Sequence, residues 1–306
     1  VILDELLARQ LVVLSGKGGV GKSVVGMALA VAAHRRGKRV LFVEVDAAFP
    51  AARVLGDEAG VATMNLEPPQ VMDEYVRRTV KVDLLARKVL DSPVYKRFFA
   101  AAPGLPDLMV LGKIMVLVEA RARWSGRPQH DLVILDAPAT GHGLAFLKVP
   151  LAASEAVPVG PVGHNARRIL GLLRDPDRTA LGIVSIPEEM AAVEAADLHR
   201  LCTDEVGVTP HVLFLNQCHE RRFTDEQERA VLRLAAEKAT GPLAAGVGLS
   251  GAVAAARRHI RRRRLTGFYE TRLRRSVPAP LVTLPYLYAA IGPEQIRSLA
   301  ARLEAA

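Results

Sequence analysis

Residues 15–23 read Ser-Gly-Lys-Gly-Gly-Val-Gly-Lys-Ser, a run suited to holding phosphate. Gly16, Gly21, Lys22 and Ser23 satisfy G-x-x-x-x-G-K-[ST]. In such a loop, backbone N–H groups close around phosphate oxygens. Gly18, Gly19 and Gly21 leave room for that wrap, or take dihedrals that a Cβ disfavours. Lys22 is expected to reach the β- and γ-phosphates, and the Ser23 hydroxyl to bind Mg²⁺. Val20 and Val24 belong to the same expected set of nucleotide contacts. Lys17 is a second lysine that an ordinary phosphate loop does not need. It is either a solvated side chain beside the loop or a cation aimed at another set of phosphates.

Two carboxylates at strand ends extend this chemistry. Arg39-Val40-Leu41-Phe42-Val43-Glu44-Val45-Asp46 reads as a strand closing on an acid. Asp46 would hold or polarise the water that attacks the γ-phosphate, or hold a Mg²⁺-bound water. The alternative is a helix N-cap after a strand. Leu132-Val133-Ile134-Leu135-Asp136 is the hydrophobic strand plus aspartate of a Walker B site, with Asp136 placed to hold Mg²⁺ through water. A cap is again the alternative. Ala137 to Gly143 follows, rich in small residues. Pro138, Thr140, Gly141 and His142 are candidates for a switch that rearranges when the γ-phosphate leaves. His142 would sense phosphate, relay to a subunit interface or simply pack; no general-base role is assigned to it.

The elements that must position these groups alternate. Residues 11–14, 40–45, 131–135, 181–185, 212–215 and 281–284 read as strands. Residues 22–36, 165–174, 188–202, 224–239 and 293–304 read as helices. The pattern predicts an α/β fold with a mostly parallel sheet sandwiched by helices, its ligand at the carboxyl ends of the strands. Residues 66–127 break the alternation. They read as helices over about 68–80, 91–101 and 106–123, separated by prolines. With a second helical block over roughly 220–275 they predict a helical subdomain within a single domain spanning 1–306. Residues 105–118 are apolar around much of a helix and include two methionines. They suit either the core or an adaptable client groove.

The chain has 306 residues, of which 50% are hydrophobic and 24% charged, so it can bury a large core. No apolar run near the loop is long enough to span a bilayer, and no secretory leader is visible, so a cytoplasmic location is expected, with peripheral membrane contact as an option. Cys202 and Cys218 lie far apart and outside any C-x-x-C, against a disulfide framework or a local zinc knuckle. The net charge of +9 is concentrated: Arg257–Arg275 holds nine arginines against one acid, Glu270, which leaves +8 in that segment. The segment reads as a helix ending at Leu265-Thr266-Gly267. It is a solvated face, or a contact for anionic membrane, DNA or an acidic partner.

Four segments together resemble the ArsA-like ATPases, within the larger group that carries a deviant Walker A loop and includes MinD and ParA. Lys17–Ser23 is similar to the family's KGGVGK[ST]. Asp136–Leu144 resembles its D-T-A-P-T-G-H-T-L switch, Ile186–Glu189 its I/L-P-E-E/F stretch, and Phe214–Gln217 its V-V-N-Q strand end. The resemblance implies a P-loop NTPase that hydrolyses ATP to ADP with Mg²⁺. It also implies a homodimer with facing sites in which Lys17 reaches the partner's phosphates. Asn216 would then contact adenine, and Pro285, Tyr286 and Leu287 would cover the base. It points to a switch that opens and closes around a protein client such as a membrane protein. The alternatives are a ParA/MinD-like positioning ATPase that binds DNA or anionic membrane through its arginines, and a slow nucleotide-gated assembly factor. Ala47-Ala48-Phe49-Pro50 departs from the family's P-A-H-S after Asp46. The chain lacks the clustered thiols of an arsenite site. It also lacks the C-x-x-C of a zinc site, which places the resemblance in the bacterial, metal-free branch.

Overall fold

The computed structural model describes residues 2–56, 60–79, 92, 104–122, 125–138, 143–237 and 247–305. Seven parallel strands form one sheet in the order β3-β2-β4-β1-β5-β6-β7. They are β1 (Leu11–Ser15), β2 (Val40–Val45), β3 (Ala62–Leu66), β4 (Leu132–Asp136), β5 (Thr179–Ser185), β6 (Val212–Cys218) and β7 (Leu281–Pro285). The chain leaves β1 for β2 on one side, returns to β4 between them, and then crosses β1 to β5. That reversal opens a crevice at the carboxyl ends of the strands beside β1, where doubly wound sheets take ligands.

The strands are apolar on both faces because helices cover both. Val12 and Leu14 point into one core and Leu11 and Val13 into the other; Phe42 and Val43 divide in the same way. One layer holds α1 (Ile2–Leu7), α2 (Lys22–Arg35), α3 (Ala51–Leu55) and the closing helix α11 (Pro293–Glu304). The other holds α5 (Leu105–Glu119), α6 (Gly143–Ala156), α7 (Pro161–Arg174), α8 (Glu189–Leu201) and the second half of α10 (Val247–Ser276). Helix α4 (Pro68–Thr79) packs on α5, and α9 (Asp225–Glu237) packs on α10.

Several expectations change. The edge strand β3 went unread because it is half-buried and carries Thr63 and Asn65 rather than a continuous apolar run. Helix α6 was hidden by Pro150, which sits inside it and removes one backbone donor. Strand β6 runs on to Cys218 through an irregularity after Leu215. The arginine helix does not end at Leu265-Thr266-Gly267 but continues to Ser276. Thr266 is buried and returns its hydroxyl to the Arg262 carbonyl, and Leu273 and Val277 beyond it enter the core, so tertiary burial outweighs the weak propensity of Gly267. The apolar face of α5 belongs to the core: Val110, Leu111 and Ile114 are essentially inaccessible. The helix expected over 91–101 lies outside the described residues.

Candidate nucleotide site

Strand β1 ends at Ser15, and the chain turns through Gly16–Gly21 into the first turn of α2, so the amide end of that helix points into the loop. Two positions require glycine. Gly16 has φ 146° and lies so close to the Val184 carbonyl of β5 that any Cβ would collide with it. Gly21 is left-handed, φ 86°, and a Cβ there would strike the Asn216 amide nitrogen. Gly18 and Gly19 are exposed at the apex, Val20 is buried and Val24 packs partly against the core below the loop.

Lys22 is 6% exposed, and its ammonium donates to the carbonyl oxygens of Gly16 at 3.1 Å and Lys17 at 3.2 Å. Burial pushes its pKa down, and the negative charge of Asp136 pulls it partly back. The Ser23 hydroxyl donates to Asp136 Oδ2. Burial holds the Asp136 carboxyl above the usual carboxylate range, against the opposing pull of Ser23 and Lys22. Its other oxygen, Oδ1, is buried without a hydrogen-bond partner among the described residues. The next described helix after Asp136 begins at Gly143, so a cap role for this acid is excluded.

Asp46 follows β2 in a left-handed conformation, φ 50°, with its amide bonded to the Leu66 carbonyl. It is not a cap either, since Pro50 occupies the N-cap position of α3. Asn65 of β3 brackets the next residue, accepting from the Ala47 amide at 3.0 Å and donating to its carbonyl at 3.3 Å. The unread strand β3 thus holds the segment that carries Asp46. Lys22, Ser23, Asp46, Asp136 and Pro138 all line one cavity of about 360 Å³. Thr140, Gly141 and His142 lie outside the described residues.

Glu44 was missed by the sequence reading and lines the same cavity. It sits directly opposite Asp136 in the β2–β4 register and is 3% exposed. Its Oε2 accepts the Ala51 amide at 2.6 Å, which pins the first turn of α3. Burial raises its pKa, the Ala51 amide lowers it, and Asp136 raises it further. The signal was present as a charged residue in an otherwise apolar strand.

Lys17 stands apart from this cavity. Its ammonium pairs with Glu194 of α8 at 2.8 Å, and both side chains are partly exposed at 37% and 45%. On the other side of the loop, buried Asn216 donates its side-chain amide to the Val20 carbonyl at 2.9 Å, tying the end of β6 to the loop. Pro285 ends β7 beside Cys218, and the Tyr286 amide bonds to the Cys218 carbonyl. The ring of Tyr286 stacks on His219, with centroids 4.7 Å apart, and Leu287 packs on the core. His219, a second residue that the sequence reading missed, also meets Tyr288 through its Nδ1 at 3.0 Å, and Tyr288 meets His259 of α10 at 3.2 Å. Cys202 and Cys218 are free thiols, buried, with pKa values pushed up to about 12 by that burial. Among the described residues no cluster of three or more His, Cys, Asp or Glu residues could hold a metal ion.

A family model described as an anion-transporting ATPase matches residues 9–159. The chain is 28% identical over 209 residues to the ATPase BagA of Mycobacterium tuberculosis, a match covering 63% of this chain and 61% of that protein. It is 22% identical over 303 residues to the ATPase GET3C of Arabidopsis thaliana, covering 79% and 75% of the two chains. It is 26% identical over 226 residues to the arsenical pump-driving ATPase of Escherichia coli, covering 70% of this chain and 36% of that one. The chain therefore spans about 61% of the length of the mycobacterial relatives that it matches. The phosphate loop, the Ser23–Asp136 pair and these matches agree, and over residues 9–159 the chain matches the ArsA-like ATPase family.

Proposed function

We propose that this protein hydrolyses ATP to ADP and phosphate as a homodimeric switch. The observation that carries the reading is the convergence of Lys22, Ser23 and Asp136 beside the loop, at the point where the sheet reverses its winding. Lys22 leaves two backbone carbonyls to meet phosphate oxygens, and its charge offsets the charge that develops there. Asp46, on a loop braced by Asn65 and Glu44, orients the attacking water.

The residues fit Mg²⁺. Ser23 supplies a hydroxyl, Asp136 has a buried carboxylate oxygen without a partner among the described residues, and both residues line the cavity together with Asp46. Ser23 would hold the ion directly, with Asp136 and Asp46 holding it through water. When bound, the ion would neutralise part of the charge on the nucleotide's phosphates.

Asn216 supports adenine as the base. One of the two N–H donors of its Nδ2 goes to the Val20 carbonyl, which fixes the carboxamide beside the loop with its oxygen as an acceptor for the base. An acceptor there favours the amino group of adenine and disfavours the oxo group of guanine. Lys17 supports the dimer: it points away from its own cavity and is held by an exposed acid that it can exchange for a partner's phosphate. Handling of a protein client is supported by a cleft of about 400 Å³ between α4, α5 and α7, where half-buried Met109 and exposed Val116 of α5 are accessible beside the core.

Phosphate release from ATP, measured against protein concentration, tests the reading. Wild type should turn over with a rate per subunit that rises with concentration. The Lys17→Ala and Asp46→Asn variants should each be impaired, and mixing them should restore part of the activity. Absence of rescue in mixed dimers shown to form would contradict a lysine acting across the interface.

A further inference from the structure

We infer that the outward face of α10 is a docking surface for an anionic lipid bilayer. The helix runs antiparallel to the strands, from His259 near the carboxyl end of β6 to Val277 before the start of β7. Its inward stripe of Ile260, Thr266, Tyr269 and Leu273 is buried. At 100° per residue the opposite stripe collects Arg257, Arg258, Arg261, Arg264, Arg272 and Arg275 within an arc of about 120°. It extends along about 27 Å of helix. On this face, among the described residues, only Arg264 has a carboxylate partner, Glu228 of α9 at 3.2 Å. Among the described residues, five arginine charges there are therefore without an ion-pair partner.

Two large apolar side chains stand in the middle of this positive stripe. Leu265 is 40% exposed and Phe268, one turn on, is 59% exposed. They decide among the polyanions. Against a nucleic-acid duplex they would lie on phosphates and gain nothing. Binding a single strand by stacking needs successive exposed aromatic rings, and the neighbouring Tyr269 is buried. At a bilayer surface the arginines meet headgroup phosphates while Leu265 and Phe268 enter the interfacial layer. A shallow groove of about 960 Å³ beside them, with Leu232, Val253 and Ala254 next to Arg257 and Arg261, can seat the glycerol and first methylenes of a lipid. The stripe lies on the sheet-covering helix rather than at the nucleotide cavity. It can therefore be tested without ATP, and its failure would leave the proposed activity untouched.

The test is co-sedimentation with vesicles of phosphatidylcholine containing about one third phosphatidylglycerol, against pure phosphatidylcholine. The protein should pellet only with the anionic vesicles and be released as salt rises from 50 to 500 mM. Each arginine near an anionic surface is worth about fivefold in partition. The Arg261→Glu/Arg272→Glu variant should accordingly lose at least roughly 25-fold. Phe268→Ala should lose several-fold and leave the salt dependence unchanged. Unaltered thermal unfolding and ATP binding check that both variants fold. If the double variant does not fold, Phe268→Ala and the two lipid compositions still decide. Equal pelleting with neutral vesicles, no pelleting with anionic ones, or tighter binding of a 30-base-pair duplex at equal phosphate concentration would overturn the inference.

Discussion

Glu194→Gln should speed the proposed switch rather than slow it, because Glu194 holds Lys17 at home. The pair is 2.8 Å long and both side chains are more than a third exposed. Water and salt screen it, and such pairs are worth about 0.2–1 kcal/mol. Removing the carboxylate therefore raises the free population of Lys17 by about 1.4- to 5-fold in each protomer. Two lysines must leave their acids in every dimer, so the ATP-dependent association constant should rise by the square, roughly 2- to 30-fold. The assay is phosphate release as a function of protein concentration, with the half-maximal concentration as the readout. The variant curve should shift to lower concentration and reach a similar plateau. The advantage should fade at 0.5 M salt, where the wild-type pair is already screened. A shift to higher concentration, or the same shift at low and high salt, would refute the reasoning. Lys17→Ala should lower the plateau itself, by tenfold or more, since a cation supplied across an interface acts on the transition state.

Other outcomes follow from particular contacts. Gly21→Ala forces a left-handed backbone and a collision with Asn216, so it should cost about 1–3 kcal/mol and abolish ATP binding, measured by denaturant unfolding and calorimetry. ATP should be preferred over GTP by tenfold or more in competition binding, and Asn216→Ala should erase most of that preference. Cys202 and Cys218, with thiol pKa values near 12, should resist alkylation at pH 8 until denaturant is added, monitored by mass spectrometry. Asp131 accepts three hydrogen bonds from Arg39, which hold its pKa near 2. A depressed carboxylate stabilises the fold above its unfolded pKa and ceases to do so as pH falls through the folded one. Asp131→Asn should therefore lower stability by about 1 kcal/mol at pH 7, allowing for screening, and the difference should vanish between about pH 4 and 2 in thermal melts.

Much of this site was legible because its chemistry is local. The phosphate loop is contiguous, and β1, β2 and β4 are short apolar runs whose ends carry Asp46 and Asp136. What the sequence hid depends on pairings made at long range. Glu44 becomes part of the site only because the parallel register sets it opposite Asp136. Strand β3 is identified by the ladder it makes with β2 and by Asn65, not by hydrophobicity. Glu194 lies 177 residues from Lys17, and no spacing rule connects the two. Helix α10 passes through Gly267 because buried neighbours on either side hold it there. A local rule for helix ends had no access to that burial.

The central claim is that the loop after β1 binds a nucleoside triphosphate through Lys22, Ser23 and Asp136. Calorimetric titration of ATP with and without Mg²⁺, into wild type and Lys22→Ala, tests it most directly. The account predicts saturable binding to one site per subunit, strengthened by Mg²⁺ and lost in Lys22→Ala while thermal unfolding persists as a single transition. Equal affinity of the folded Lys22→Ala variant for ATP would contradict it.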